Sequence, residues 1–134
     1  MTIWMKPTLT DESIKAMEPL EAFRYAEELL ESRFPREAAR VLRPVAELEP
    51  RNAAVWELMG RAHFAAAHLA PAEQAFRTLT ELEPTSAWAQ TALGLCLDRQ
   101  SRHRDGAVHH RLAAAMGASE RDSTRVELVD RTDA

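Results

Sequence analysis

Apolar residues recur at helical spacing along most of the chain and predict six helices joined by connections of a few residues. The predicted ranges are about 19–32, 36–48, 53–66, 71–82, 87–100 and 106–116, with a shorter helix over 11–17. Short connections favour antiparallel neighbours, so the six helices are expected to form three pairs. The fold class predicted is all-α.

Residues that favour helix ends support these boundaries. Proline suits the first helical position because the amide that it lacks would be unpaired there; side-chain oxygens cap helix starts, and glycine often ends a helix. The predicted signals are Pro19, Pro71, Thr10, Asn52, Thr85 or Ser86, Asp105 and Gly117. Pro44 lies within the second predicted helix, where it should bend the helix or disturb a hydrogen bond.

The pattern repeats every 34 residues. ELEP at 47–50 matches ELEP at 81–84, and Met59-Gly60 matches Leu93-Gly94. A fixed period of this length is typical of solenoids, in which each unit buries a face against its neighbour. We predict repeats at about 19–52, 53–86 and 87–120, preceded by an N-terminal arm and capping helix (1–18) and followed by a polar tail (121–134).

The middle unit carries a characteristic set of residues: Trp56, Met59, Gly60, His63, Ala72, Phe76 and Pro84. In these residues and their spacing the unit resembles the tetratricopeptide repeat. Methionine and histidine replace a leucine and an aromatic residue of the family pattern W-x2-L-G-x2-Y…A-x3-F…P. The outer units are degenerate. The resemblance covers about 19–120 and implies an α-solenoid of three antiparallel helix-turn-helix repeats.

Residues of similar size occupy equivalent positions in successive repeats, called here columns, and they explain the repeat physically. Ala26, Gly60 and Gly94 share one column, where small side chains let two helices approach closely. The matching small column on the second helices is Ala38, Ala72 and Gly106. Leu42 and Phe76 are the large side chains expected to fill the space between neighbouring pairs, and His110 occupies the third such position. A histidine at the third large position predicts a looser or wetter last interface.

The resemblance also implies that the first helix of each pair lines a concave groove. The candidate groove residues are Leu20, Phe23, Glu27, Leu30, Glu57, Arg61, Phe64, Trp88, Thr91, Leu95 and Asp98. Such a mixture suits a partner peptide or helix with apolar anchors and a few charges. Trp88 is the preferred anchor, because aromatic residues are enriched in interface hot spots. Phe23, Leu30 and Phe64 could equally belong to the core.

Some family members hold acidic chaperone tails with a clamp of lysine and asparagine residues. The aligned positions here are Phe23, Glu27, Leu58, Trp88 and Ala92, and none of them is lysine or asparagine. An acidic C-terminal tail is therefore not the expected ligand.

Composition narrows the function classes. The net charge of −4 argues against a general nucleic-acid binder, and no apolar run suggests a membrane span or a signal peptide, so we expect a cytoplasmic protein. The single cysteine, Cys96, lies in an apolar run and is expected to be buried and inert. Adjacent His109 and His110 point about 100° apart on a helix and do not chelate by themselves.

No catalytic or phosphate-binding motif is present, so neither an enzyme nor a bound cofactor or metal is expected. The leading hypothesis is a protein-interaction module, an adaptor or assembly helper. The alternative is a self-assembling solenoid that uses its terminal faces or the apolar cluster Ile3, Trp4 and Met5, which could also fold back on the first repeat. Charges of opposite sign at the two ends would favour head-to-tail stacking. A metal-dependent enzyme is the remote third class.

Overall fold

The computed structural model describes residues 8–117, which form seven helices and no strand. The helices are α1 (Asp11–Lys15), α2 (Pro19–Glu31), α3 (Pro35–Leu48), α4 (Ala53–Ala65), α5 (Leu69–Leu82), α6 (Ala87–Arg99) and α7 (His103–Ala115). Contacts join α2 to α3, α4 to α5 and α6 to α7, and each pair also contacts the next. The predicted all-α solenoid of three helix pairs is confirmed. The apolar cluster at 3–5 and the tail at 121–134 lie outside the described residues.

Side-chain caps begin the helices where the sequence predicts them. The Thr10 hydroxyl accepts from the Ser13 amide in a capping box. The Asn52 side chain accepts from Ala54 N at 3.1 Å. These caps satisfy amides that have no partner inside the helix. Of the two residues predicted to begin the fifth helix of the repeats, Ser86 is the cap.

Two helices begin a few residues earlier than predicted. α5 begins at Leu69, so Pro71 is the third residue of the helix and not the first. The first-turn amides have no partner within the helix, and a proline there removes no hydrogen bond. α7 begins at His103, with Arg102 at the cap position, so Asp105 lies in the first turn, where a carboxylate favours the positive helix end.

The turn inside each pair is built the same way three times. Arg33, Ala67 and Ser101, spaced by 34 residues, have φ angles of 67°, 59° and 62°. The following amide in each turn bonds back to a carbonyl five residues earlier, as His68 N does to His63 O at 2.8 Å. This left-handed ending usually uses glycine, and none of the three residues is glycine, so the turns could not be recognised in the sequence.

Pro44 lies inside α3 without ending it, since the helix is continuous from Pro35 to Leu48. Its ring nitrogen cannot donate to the preceding turn, so one helical hydrogen bond is missing. Pro44 borders a cavity between α1 and α3. Nearby, the Arg40 guanidinium donates to Leu9 O and Asp11 Oδ1 at 3.2 and 3.3 Å, and Ile14 of α1 is buried. The short first helix therefore covers part of α3.

The close approach of helices at the small columns is confirmed. A Cβ atom on Gly60 would lie 2.3 Å from Cε1 of Phe76, which is itself buried. In the last pair, a Cβ atom on Gly94 would lie 2.7 Å from the His110 ring. The third interface differs chemically, because His110 is half-buried and its Nε2 lies 2.8 Å from Asp98 Oδ2.

We predict that Gly60→Ala lowers the free energy of unfolding by about 1–3 kcal/mol, since the buried Phe76 ring has no space to move into. Gly94→Ala is the matched control and should cost less, because the half-buried His110 ring can turn toward solvent. Chemical denaturation measures both. Phe76→Leu should be less harmful in the Gly60→Ala background than in the wild type. Equal losses at the two glycines, or no such rescue, would show that the Gly60–Phe76 contact does not limit helix spacing.

Candidate functional site

The candidate site is the face formed by the first helices of the pairs, α2, α4 and α6, called here the first-helix face. On this face α2 and α4 are in contact with each other. Two cavities lie along α2 where it borders α4. One measures about 150 Å³ and is lined by Glu27, Leu30, Glu31, Leu58 and Arg61.

The second cavity measures about 240 Å³ and lies nearer the start of α2. Leu20 and Phe23 of α2 meet residues from the end of α3 and the start of α4 here. The complete lining is Pro19, Leu20, Phe23, Val45, Glu49, Asn52, Ala54 and Val55. Leu20 is 61% exposed although it is a large apolar residue, so this cavity presents apolar surface to solvent.

The structure separates the predicted groove residues by exposure. Leu20 and Glu27 are exposed, whereas Phe23, Glu57, Arg61, Leu95 and Asp98 are half-buried. Leu30, Phe64, Trp88 and Thr91 are buried. Leu20, Phe23, Glu27, Leu30 and Arg61 line the two cavities beside α2, and Ala54 of the same columns joins them. The third repeat contributes no residue to either cavity.

The expectation that Trp88 offers an exposed anchor must be corrected. Trp88 is only 6% exposed, and its ring meets Phe76 edge to face with centroids 6.0 Å apart. Such aromatic pairs stabilise a core by more than the burial of their apolar surface alone. Phe64 is likewise buried, with the Arg99 guanidinium 5.1 Å from its ring centroid. Both aromatic side chains therefore fill the space between the second and third pairs.

Three other predicted groove residues serve local structure. Leu30 is buried and reaches solvent only as a wall of the smaller cavity. The Thr91 hydroxyl is turned inward and donates to Ala87 O at 3.0 Å. Asp98 is bound by α7, with His110 Nε2 at 2.8 Å and His103 Nδ1 at 3.4 Å. The α6 side of the face is thus used largely for packing.

The groove residues predicted from equivalent positions of the repeats do not include several residues that line the cavities. Val45, Glu49 and Asn52 lie at the end of α3 and in the turn after it. The prediction considered only positions on the first helix of each pair, so it could not include them. Glu31 follows Leu30 directly and lines the smaller cavity. The ELEP and Asn52 turn signals did mark where α3 ends and α4 begins, but they gave no indication that a cavity forms there.

Cys96 is buried and chemically protected, as predicted. Burial raises the pKa of its thiol to about 11, and its Sγ donates to Leu69 O at 3.3 Å. A thiol that stays protonated is a poor nucleophile. Within residues 8–117, no group of three His, Cys, Asp or Glu side chains is placed to share a metal ion, and no helix there has the length and apolar character to cross a membrane.

Two histidines and one carboxyl group have shifted pKa values. Burial, followed by the charge of His68, lowers the pKa of His63. Burial also lowers the pKa of His109, together with Arg77 and His110, and its Nδ1 lies 2.8 Å from Gln90 Oε1.

Glu73 links α5 to the residues before α7. Partial burial acts to raise its pKa, but hydrogen bonds from Gln100 and Arg77 and the charge of Arg102 lower it overall. Its Oε1 is 2.8 Å from Arg102 Nη1 and its Oε2 is 2.9 Å from Arg77 Nε. Above the ordinary pKa of 4.5, this ionised cluster stabilises the fold; its contribution is lost as the pH falls through the lowered pKa.

The fold is that of a helical-repeat protein, and two cavities lie along its first-helix face. The family model of the tetratricopeptide repeat matches residues 21–96, which is more than half of the chain. The protein therefore belongs to the tetratricopeptide repeat family, whose members are in general protein-interaction modules.

A solved structure of a MamA mutant is similar to this chain, with a TM-score of 0.73 and 20% sequence identity. The similarity covers 81% of each chain. At this identity it supports the fold alone. None of the curated proteins matches the sequence.

We predict that the protein loses stability in mild acid. The unfolded chain binds protons more readily than the folded chain at His63 and His109, so the free energy of unfolding should fall as the pH drops below about 6.5. His63→Phe should reduce this fall, because phenylalanine has no group that can take up a proton at this half-buried position. Thermal melts between about pH 7.5 and 5.5 measure it. An unchanged pH dependence in the variant would contradict the assignment to His63.

Proposed function

We propose that this protein is a non-catalytic cytoplasmic adaptor or assembly helper that holds a peptide or helix of another protein on its first-helix face. The observation that carries the proposal is the pair of cavities along α2, which combine open apolar surface at Leu20 with charged side chains at Glu27 and Arg61. Membership of a family of interaction modules supports it. No cofactor, nucleic acid or membrane forms part of the proposal.

We propose that the binding surface lies mainly on the first two pairs. Apolar side chains that line a cleft can accept an anchor from a partner, and charged groups at its edge then favour one partner over another. Between the second and third pairs, Trp88 and Phe64 stabilise the core, so a partner would gain little from them. The missing basic clamp, with Leu58 and Ala92 buried at two of its positions, disfavours an acidic C-terminal tail as ligand.

Two exposed leucines provide a matched test. Leu20 is 61% exposed in the apolar cavity, whereas Leu48 is 71% exposed at the end of α3, outside both cavities. We predict that Leu20→Arg abolishes capture of native partners from cell lysate, measured by quantitative mass spectrometry, and that Leu48→Arg does not. Both variants should remain helical by circular dichroism. If the two variants capture the same partners as the wild type, the first-helix face is not the binding surface.

We propose self-assembly as the second candidate function. Its support is an exposed apolar stripe formed by Val108 and Leu112 of α7 and by Met116 directly after it, which are 45%, 41% and 39% exposed. These residues are four apart and so lie on one face of the helix. Arginine predominates near α7 while carboxylates predominate over residues 11–50, and this charge difference supports head-to-tail contact.

Light scattering tests this second candidate. If α7 joins protomers, the mass should rise with protein concentration, and Leu112→Arg should return the protein to a monomer. Raising the salt concentration should weaken the association because it screens the opposite charges. A wild-type protein that stays monomeric at high concentration and low salt would contradict self-assembly.

A further inference from the structure

The first-helix face carries two carboxylates that lie close together on α2. Glu27 is an exposed residue of α2, and exposed Glu31 lies one helical turn further on; both line the smaller cavity. Within residues 8–117, neither carboxylate forms an ion pair or accepts a hydrogen bond. The cavity also contains Arg61, so its lining carries two carboxylates against one guanidinium.

This arrangement is unfavourable for the isolated helix. Like charges four residues apart repel each other on a helix surface. Glu31 is also the last residue of α2, where the helix dipole is negative, and the last turn of α2 contains no basic residue. Positive charge would be stabilising at this end. A basic group of a partner at this place would relieve the repulsion between the two carboxylates.

The apolar cavity lies about two helical turns from these carboxylates. Its volume of about 240 Å³ exceeds the roughly 150 Å³ of an engineered cavity that admits benzene. A leucine, methionine or phenylalanine side chain therefore fits. Leu20 and Phe23 face this cavity from the same helix that carries Glu27 and Glu31, so one partner segment running along α2 could reach both places.

We propose that the occupant is a helical segment of a partner protein that carries a large apolar residue and, seven residues away, an arginine or lysine. The specificity rests on the function proposed above. The centres of the Leu20–Phe23 and Glu27–Glu31 pairs are seven to eight residues apart, or about 11 Å along α2 at about 1.5 Å per residue. Residues i and i+7 of a second helix match this distance and share one face, whereas an extended strand places same-face residues about 6.6 Å or 13 Å apart.

Three synthetic peptides of equal length test this inference by fluorescence polarisation. The first is an amphipathic helix with leucine at position i and arginine at i+7, the second has glutamate in place of the arginine, and the third moves the arginine to i+5. The first should bind at least tenfold more tightly than either of the others, and raising the salt concentration should reduce the difference. Equal binding of the first two peptides would overturn the proposal, and equal binding of the first and third would overturn the helical spacing.

Variants with the same change in charge locate the effect. Glu27→Lys with Glu31→Lys should weaken binding of the arginine peptide at least tenfold and strengthen binding of the glutamate peptide. Glu21→Lys with Glu28→Lys, on exposed positions of the same helix outside both cavities, should leave binding unchanged. The first variant should melt no lower than the wild type, because lysine at position 31 favours the helix end. Equal effects of the two variants would contradict the site.

The two proposals fail separately. If Leu20→Arg abolishes capture of native partners but charge reversal at Glu27 and Glu31 changes neither that capture nor peptide binding, the face binds proteins and the basic specificity is wrong. If Leu20→Arg has no effect on capture, the interaction function of the face is itself wrong.

Discussion

The spacing between paired helices is the constraint on which the rest of the structure depends. Gly60 has no side chain, so the buried Phe76 ring lies where a Cβ atom would otherwise be. Ala26, Ala38 and Ala72 are completely buried at equivalent small positions. Because interiors are close-packed, even one additional methyl group at such a contact must displace its neighbours. Close pairing in register leaves the first helices side by side on one face of the molecule.

The turns keep that register from one pair to the next. Arg33, Ala67 and Ser101 each adopt a left-handed conformation that costs about 1–2 kcal/mol for a residue with a side chain. The same backbone hydrogen bond closes all three turns. Strain repeated at an interval of 34 residues indicates that packing of the helix pairs, and not the preference of the turn residue, determines the conformation there.

Most of the architecture could be predicted from the sequence, because helix periodicity, caps and small residues each have a local signature. Asn52 and Ser86 cap the helices that they were expected to cap, and the helices approach closely at Gly60 as expected. Boundaries without a local signature were less accurate: α7 begins at His103 with no side-chain cap. The left-handed turns could not be foreseen, since none of their residues is glycine.

The candidate site was harder to predict than the fold. A repeat column gives the angular position of a side chain but not its depth, which depends on neighbours from other helices. Trp88 and Leu20 share a column, yet Trp88 packs against Phe76 while Leu20 stays 61% exposed. The difference follows from position in the solenoid, because α5 lies against the start of α6 and no such pair precedes α2 in the described residues. The cavity at Val45 and Asn52 lies beside a turn, and the repeat pattern in the sequence does not indicate that a cavity forms there.

A change of polarity along one helix connects this fold to its proposed role. α2 is apolar and open at Leu20 and negative at Glu31, so in the proposed role it would offer a partner two different contacts along one helix. The most direct measurement is a methyl NMR titration of the protein with the arginine-bearing helical peptide. The account predicts that the Leu20 methyl signals shift strongly while those of Leu48 and Leu112 do not. Shifts confined to Leu112, or equal shifts at all three leucines, would contradict binding at the first-helix face.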